Sequence, residues 1–187
     1  MFRSTGAYLQ GHFQLTSGLH SGEYLQCAQV LQYPEHAEKL GLLLAEALRQ
    51  VVPEKIHVVA SPALGGLIIG HEVARSLGAR FIFTERDAAT KRMTLRRGFT
   101  IGENENAVVI EDVITTGGST QDVVEVIRAA GGKVSGAGSI IDRSGGRASV
   151  GVPRVALVTM QVAAHPPQDC PLCRSGIPVA KPGSRPS

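Results

Sequence analysis

Apolar residues fall along this chain in two rhythms. The first is a set of short, nearly continuous runs: "KIHVVAS" ending at Ser61, "ARFIFTE" ending at Glu85, "NAVVIED" ending at Asp112, "KVSGAGSIID" ending at Asp142 and "RVALVTM" ending at Met160. Runs of that length, rich in Val and Ile and bounded by turn residues, predict buried strands. The second rhythm repeats at three and four residues. In "PEHAEKLGLLLAEALRQVV", Leu40, Leu44, Ala47 and Leu48 share one face, Pro34 opens the helix, and Glu35 and Glu38 suit its first turn. "GGLIIGHEVARSLG" predicts a helix that stops at Gly78. "GGSTQDVVEVIRAAGG" predicts another, with Ser119 or Thr120 near its start and Gly131-Gly132 closing it. Strands apolar on both sides, alternating with helices, predict an α/β protein whose mostly parallel sheet is covered on both faces.

Three stretches lack either rhythm. Residues 1–33 mix turn residues (Ser17, Gly18, Ser21, Gly22) with short apolar pieces and predict a small, partly β segment. Residues 86–98 carry Arg86, Lys91, Arg92, Arg96 and Arg97 without periodicity and predict a long basic loop. The end, from 166 to 187, is a Pro- and Gly-rich tail without a core pattern. The expected organisation is one domain over 1–165, with 1–33 as its small first segment and 34–165 as its core, then the tail.

Composition excludes several classes. A net charge of +3 is too small to argue for nucleic acid or membrane binding. No apolar run reaches the ~18–20 residues of a membrane span, and "MFRSTGAYLQGHFQL" lacks the apolar stretch of a signal peptide. Three cysteines are not a disulfide framework, and a reducing cytoplasm is the simplest home.

In open parallel sheets ligands bind beyond the carboxyl ends of the strands. After the first core strand comes "SPALGG": Ser61, Pro62, Ala63, Leu64, Gly65 and Gly66. Small residues there let backbone N–H groups approach an anion at a helix start, although an ordinary βα turn would look the same. After the third comes "EDVITTGGST": Glu111, Asp112, Val113, Ile114, Thr115, Thr116, Gly117, Gly118, Ser119 and Thr120. The loop offers N–H groups and hydroxyls to a phosphate, but two carboxylates stand at its mouth. Carboxylates repel phosphate, so they must face sugar hydroxyls or a cation, and the combination reads as a sugar-phosphate site. No G-x-x-x-x-G-K-[ST] is present, and "GAGSII" lacks the third glycine of a dinucleotide loop.

"VVIEDVITTGGST", Val108 to Thr120, resembles the phosphoribosyl-pyrophosphate (PRPP) motif of the type I phosphoribosyltransferases. "FQLTSGLHSGEYLQC" and "IIDRSGG" resemble segments of the orotate branch, and the similarity spans roughly residues 6–160. The resemblance implies transfer of phosphoribose from PRPP to orotate with Mg²⁺ bound through PRPP, and a homodimer in the cytoplasm. It implies that Glu111 and Asp112 hold the ribose hydroxyls, that residues 113–120 hold the 5′-phosphate, and that Ser61 to Gly66 hold pyrophosphate. Arg86, Lys91 and Arg92 become a lid that reaches the neighbouring subunit's site, Lys91 with a catalytic role. Arg143 meets the orotate carboxylate, with Thr115 beside it. The first segment becomes a hood. Two departures stand out: some members carry Lys where this chain has Thr16, and the lid lacks the His of some family lids. A phosphoribosyltransferase for a purine base and a PRPP-sensing regulator of the same fold are the alternative readings.

"CPLC" at the end of the chain has zinc-ligand spacing in Cys170 and Cys173. His165 and Cys27 could complete a site, or two tails could meet across a dimer axis. Two reduced thiols on a mobile tail, or a disulfide between the pair, are the alternatives.

Overall fold

The structure is a computed structural model and describes residues 1–15 and 17–182; Thr16 lies outside the described residues. The chain forms two compact units, one built from residues 1–32 and those from 161 on, the other from Tyr33–Met160. The first unit opens with two antiparallel strands, β1 (Tyr8–Gln14) and β2 (His20–Leu25), and a short helix, α1 (Ala28–Leu31).

The larger unit runs α2 (Pro34–Val51), β3 (Val58–Pro62), α3 (Gly66–Leu77), β4 (Arg80–Arg86), β5 (Met93–Leu95), β6 (Asn106–Ile114), α4 (Gly118–Ala129), β7 (Lys133–Asp142) and β8 (Arg154–Thr159). Its sheet has the order β5-β4-β3-β6-β7-β8. Every neighbouring pair is parallel except β4 and β5. Five parallel strands need crossovers: α3 makes the one from β3 to β4 and α4 the one from β6 to β7, whereas β5 lies in the connection from β4 to β6 and a helix-free loop joins β7 to β8. The faces sort by alternation. Ala107 and Val109 of β6 join Val123, Val124 and Ile127 of α4 in one apolar cluster. Ile110 lies on the opposite face, where a side chain at Gly138 would meet Ile110 and Leu44 of α2. Each fully buried Val, Leu or Ile contributes roughly 1.5–3 kcal/mol, so the two layers carry most of the unit's stability.

Two expectations from sequence change. The basic stretch 86–98 is not a bare loop, because β5 folds back on β4 with Arg86 opposite Met93. Met93 is buried, and the carboxylate of Asp87 accepts hydrogen bonds from the N–H groups of Ala89 and Thr90, which fixes the turn. A three-residue strand is too short to register as alternation. The C-terminal segment, for its part, is not without structure. It forms β9 (Ala164–His165), antiparallel to β2, then a 3-10 turn (Pro167–Asp169) and α5 (Pro171–Arg174). Cys170 is fully buried there.

Helices α2 and α3 approach closely at Gly41. A Cβ at that position would lie 2.6 Å from Glu72 Cβ and 2.9 Å from its backbone carbon. Alanine favours a helix interior over glycine by up to about 1 kcal/mol, whereas overpacking against a neighbouring helix costs about 1–3 kcal/mol. The clash is with backbone and cannot relax by a rotamer change. Gly41→Ala should therefore lower unfolding free energy by about 1–2 kcal/mol, read as a lower urea midpoint at unchanged slope. A rise in the midpoint would show that the helices part at no cost.

Candidate active site

The chain leaves β3 toward β4 on one side and later returns to lay β6 against the other side of β3. At that reversal the carboxyl ends of β3 and β6 stand side by side, which is where an open parallel sheet offers a crevice. The loop after β3 presses against the end of β6. A Cβ on Gly65 would lie 2.7 Å from Asp112 Oδ1, and one on Gly66 would lie 2.9 Å from the Ile110 carbonyl oxygen. Only glycine permits that approach. Ser61 and Pro62 belong to β3 and are buried beneath α3. Ala63, Leu64 and Gly65 form the loop itself, with a cis Ala63–Leu64 peptide and Leu64 82% exposed.

Glu111 and Asp112 lie within β6 rather than beyond it, and consecutive strand residues face opposite ways. Glu111 turns toward α4, where its carboxylate accepts the hydroxyl of buried Thr120. Asp112 turns toward Gly65 and accepts the N–H of Val113 at 2.9 Å. Burial pushes the Glu111 carboxyl up to about 7; the Thr120 hydroxyl opposes the rise, and the Asp112 charge adds to it. Burial also pushes Asp112 up. Both carboxylates gain from positive charge brought to them, and as hard oxygen donors they suit Mg²⁺ or a cationic sugar ring.

β6 extends through Val113 and Ile114, so these two residues are strand rather than loop. Ile114 is fully buried, and its carbonyl accepts the Arg143 N–H at 2.8 Å. The turn into α4 is made by Thr115, Thr116 and Gly117, the last at φ +88°. No side chain caps α4, which leaves the first-turn N–H groups around Gly118 and Ser119 for an anion. Thr115 and Thr116 share a cavity of about 400 Å³ with Arg143, Ser144, Arg147 and Ala148.

Asp142, fully buried, organises the far wall of that cavity. Its carboxylate accepts the Ser144 N–H at 2.8 Å and hydroxyl at 2.6 Å, and pairs with Arg154. Burial alone would raise this carboxyl, but the Ser144 and Arg154 hydrogen bonds outweigh it and hold the group below its ordinary value. Ser144, Arg147 and the supporting Asp142–Arg154 pair were not anticipated from sequence, although "IIDRSGG" contains the turn that carries the first two.

The basic hairpin lies along α4. Arg86 reaches α4, donating to Ser119 Oγ at 3.4 Å and pairing with Asp122 at 2.9 Å. Arg86 also donates to the Lys91 carbonyl at 2.9 Å and lines, with Lys91, Arg92, Asp122 and Glu125, a cavity of about 460 Å³. Within one chain the structure gathers residues 63–66, 111–112 and 115–119 with Arg143 at the strand ends; Arg86 meets this group through Ser119 and also lines the hairpin cavity with Lys91 and Arg92. Thr120 serves Glu111 instead of opening outward.

Comparison with known proteins identifies the fold and the family. The phosphoribosyl transferase domain model matches residues 26–155. The orotate phosphoribosyltransferase of Pelotomaculum thermopropionicum is 51% identical over 99% of this chain and 95% of its own length. That of Heliobacterium modesticaldum is 50% identical over 99% and 95%. The crystal structure of orotate phosphoribosyltransferase from Aeropyrum pernix superposes with a TM-score of 0.68 at 26% identity, covering 84% of this chain and 90% of that one. With a crevice at the strand reversal, an acid pair at its floor and half its residues shared along nearly the whole length, the chain belongs to the orotate phosphoribosyltransferase family.

Proposed function

We propose that the chain transfers the 5-phosphoribosyl group of PRPP to orotate, giving orotidine 5′-monophosphate and pyrophosphate. The observation that carries this reading is the apposition of the two βα loops, Gly65 against Asp112, beside a cavity that joins Thr115 and Thr116 to Arg143. The N–H groups at the start of α4 and the Thr115 and Thr116 hydroxyls take the 5′-phosphate. Glu111 and Asp112 take the ribose hydroxyls. Residues 63–66 face pyrophosphate. Glu111 and Asp112, as hard oxygen donors, would stand beside a Mg²⁺ brought by PRPP, and that ion would supply positive charge to the leaving group.

As the bond from C1 of the ribose to pyrophosphate lengthens, positive charge grows on the ring and negative charge on the departing oxygens. The carboxylates of Glu111 and Asp112 stabilise the first, and the loop N–H groups the second. The ring nitrogen of orotate forms the new bond to C1 as the C1–O bond breaks, and its proton passes to a departing pyrophosphate oxygen. Arg143 orients orotate through its carboxylate, and Arg147 adds a second cation to the same cavity. Lys91 and Arg92 act across a homodimer on the neighbouring chain's pyrophosphate, a reading supported by the cavity they line, which includes neither acid of their own chain. The closed hairpin keeps water from the activated sugar. PRPP chemistry and cysteines without a disulfide among the described residues suit the cytoplasm, and among the described residues no helix is long and apolar enough to cross a membrane.

The direct test supplies PRPP and Mg²⁺ with orotate, uracil, adenine, guanine or xanthine in turn and follows pyrophosphate release. Orotate should turn over far faster than the rest; equal or better use of a purine would overturn the assignment. Loss of one electrostatic stabiliser costs on the order of 10²-fold or more, so Asp112→Asn should lower kcat/KM by that scale. Mixing inactive Asp112→Asn with inactive Lys91→Ala should restore part of the activity, because some exchanged dimers carry one intact site. No recovery after verified exchange would place the hairpin's action within its own chain.

Glu111 adds a pH dependence with a definite sign. Its carboxyl is held at about 7 in the fold against an ordinary 4.5, so the folded state binds more protons between those values. Stability then falls as pH rises from 4.5 through 7. Glu111→Gln cannot ionise and lacks that fall. The Tm of wild type minus that of the variant should decrease between pH 4.5 and 8, and a constant difference would show that Glu111 titrates normally.

A further inference from the structure

We propose that His12, His20, Cys170 and Cys173 bind one zinc ion that holds the smaller unit together. This site is separate from the residues assigned to PRPP and orotate. Two ligands come from adjacent antiparallel strands, His12 on β1 and His20 on β2. The other two come from the C-x-x-C that begins just before α5. The potential ligand atoms of all four lie within 4.8 Å of one another.

The spacing suits a tetrahedron. With metal–nitrogen bonds near 2.0–2.1 Å and metal–sulfur bonds near 2.3 Å, ligand atoms stand about 3.3 to 3.8 Å apart. Here His12 Nε2 is 2.9 Å from His20 Nδ1, 3.5 Å from Cys170 Sγ and 3.6 Å from Cys173 Sγ. Cys173 Sγ is 3.2 Å from His20 Nδ1. Small outward shifts of the two imidazoles make room for an ion.

The protonation of His12 is set from behind. Its Nδ1 faces the Ile177 carbonyl at 2.6 Å and must donate to it. Nε2 is then a bare lone pair, aimed at three other groups at once. One lone pair cannot satisfy three neighbours, whereas a cation at their centre satisfies all four. A histidine whose far nitrogen donates to a backbone carbonyl is the usual form of a metal ligand. His12, His20 and Cys170 are buried, and Cys173 is exposed, so a metal can reach the site from the Cys173 side.

The smaller unit also needs a staple. Its buried apolar side chains are few: Ala7, Phe13, Val30 and Leu31, with the thiols of Cys27 and Cys170. Units of this size with so little core rely on metals or cross-links. The contacts converge on His12, whose carbonyl accepts the Ala180 N–H at 2.8 Å. The ion would cross-link the first strands to the last segment of the chain. Two thiolates and two imidazoles in a tetrahedron select zinc. Cys170 and Cys173 are the pair named from sequence, but the histidines His12 and His20 complete the group in place of His165 and Cys27.

The test uses the full chain, produced without a histidine tag in zinc-supplemented medium under reducing conditions. Elemental analysis after dialysis against a mild chelator should find about one zinc per chain. Cys173→Ser and His20→Ala should each lower retention by at least about tenfold. Should those variants misfold, wild type freed of zinc and refilled with cobalt should show the visible bands of a tetrahedral thiolate-bound ion. Wild type that neither carries nor takes up zinc, or that forms a Cys170–Cys173 disulfide in preference to binding it, overturns the proposal. So does zinc retained by a Cys170→Ser, Cys173→Ser double variant, or half an equivalent per chain, which would mean a site shared between two chains.

Discussion

The approach of Gly65 to the Asp112 carboxylate is the constraint on which the larger unit's chemistry depends. It exists because β6 lies on the opposite side of β3 from β4, so two βα turns emerge together. A side chain larger than hydrogen at Gly65 would push the loops apart, and the acid pair would become an ordinary strand end open to water. Close contact keeps the carboxylates half-buried, and that burial raises their proton affinity. A pair held this way is poor company for water and good company for a cation. The fold therefore spends stability at the site and draws on the apolar layers above and below the sheet to support it.

Much of this was legible in the residues because parallel strands buried on both faces write themselves as continuous apolar runs. "HVVAS", "FIFTE" and "AVVIED" could be placed without tertiary information, and acids ending a buried run cannot be explained by the core. What escaped was set by contacts distant in sequence. Thr120 reads as a loop hydroxyl until α4 folds back and turns it on Glu111. Ser144 and Arg147 read as turn residues until Asp142, pinned by Arg154, bends them toward Thr115. Alternation cannot show a hairpin whose second strand has three residues.

The C-terminal segment shows the same limit from the other side. "HPPQDCPLC" has no apolar rhythm because apolar burial is not what orders it. Its order comes from pairing with β2, from backbone hydrogen bonds to β1 and from sulfur atoms lying against two imidazoles. Composition alone points to a tail, since Pro and Gly lower helix and strand propensity wherever they occur. The histidines concerned are separated from the cysteines by most of the chain, and only the folded backbone brings them together.

The β4–β5 hairpin changes what the basic segment costs to use. A bare loop of that length would surrender backbone freedom each time it closed on a phosphate, about 1–2 kcal/mol for every residue fixed. Asp87 and the Arg86–Met93 pairing order this segment through its own hydrogen bonds. Lys91 and Arg92 are thus held at a spacing set by the hairpin itself, and a phosphate that meets them meets a preformed pair rather than a chain that must first condense.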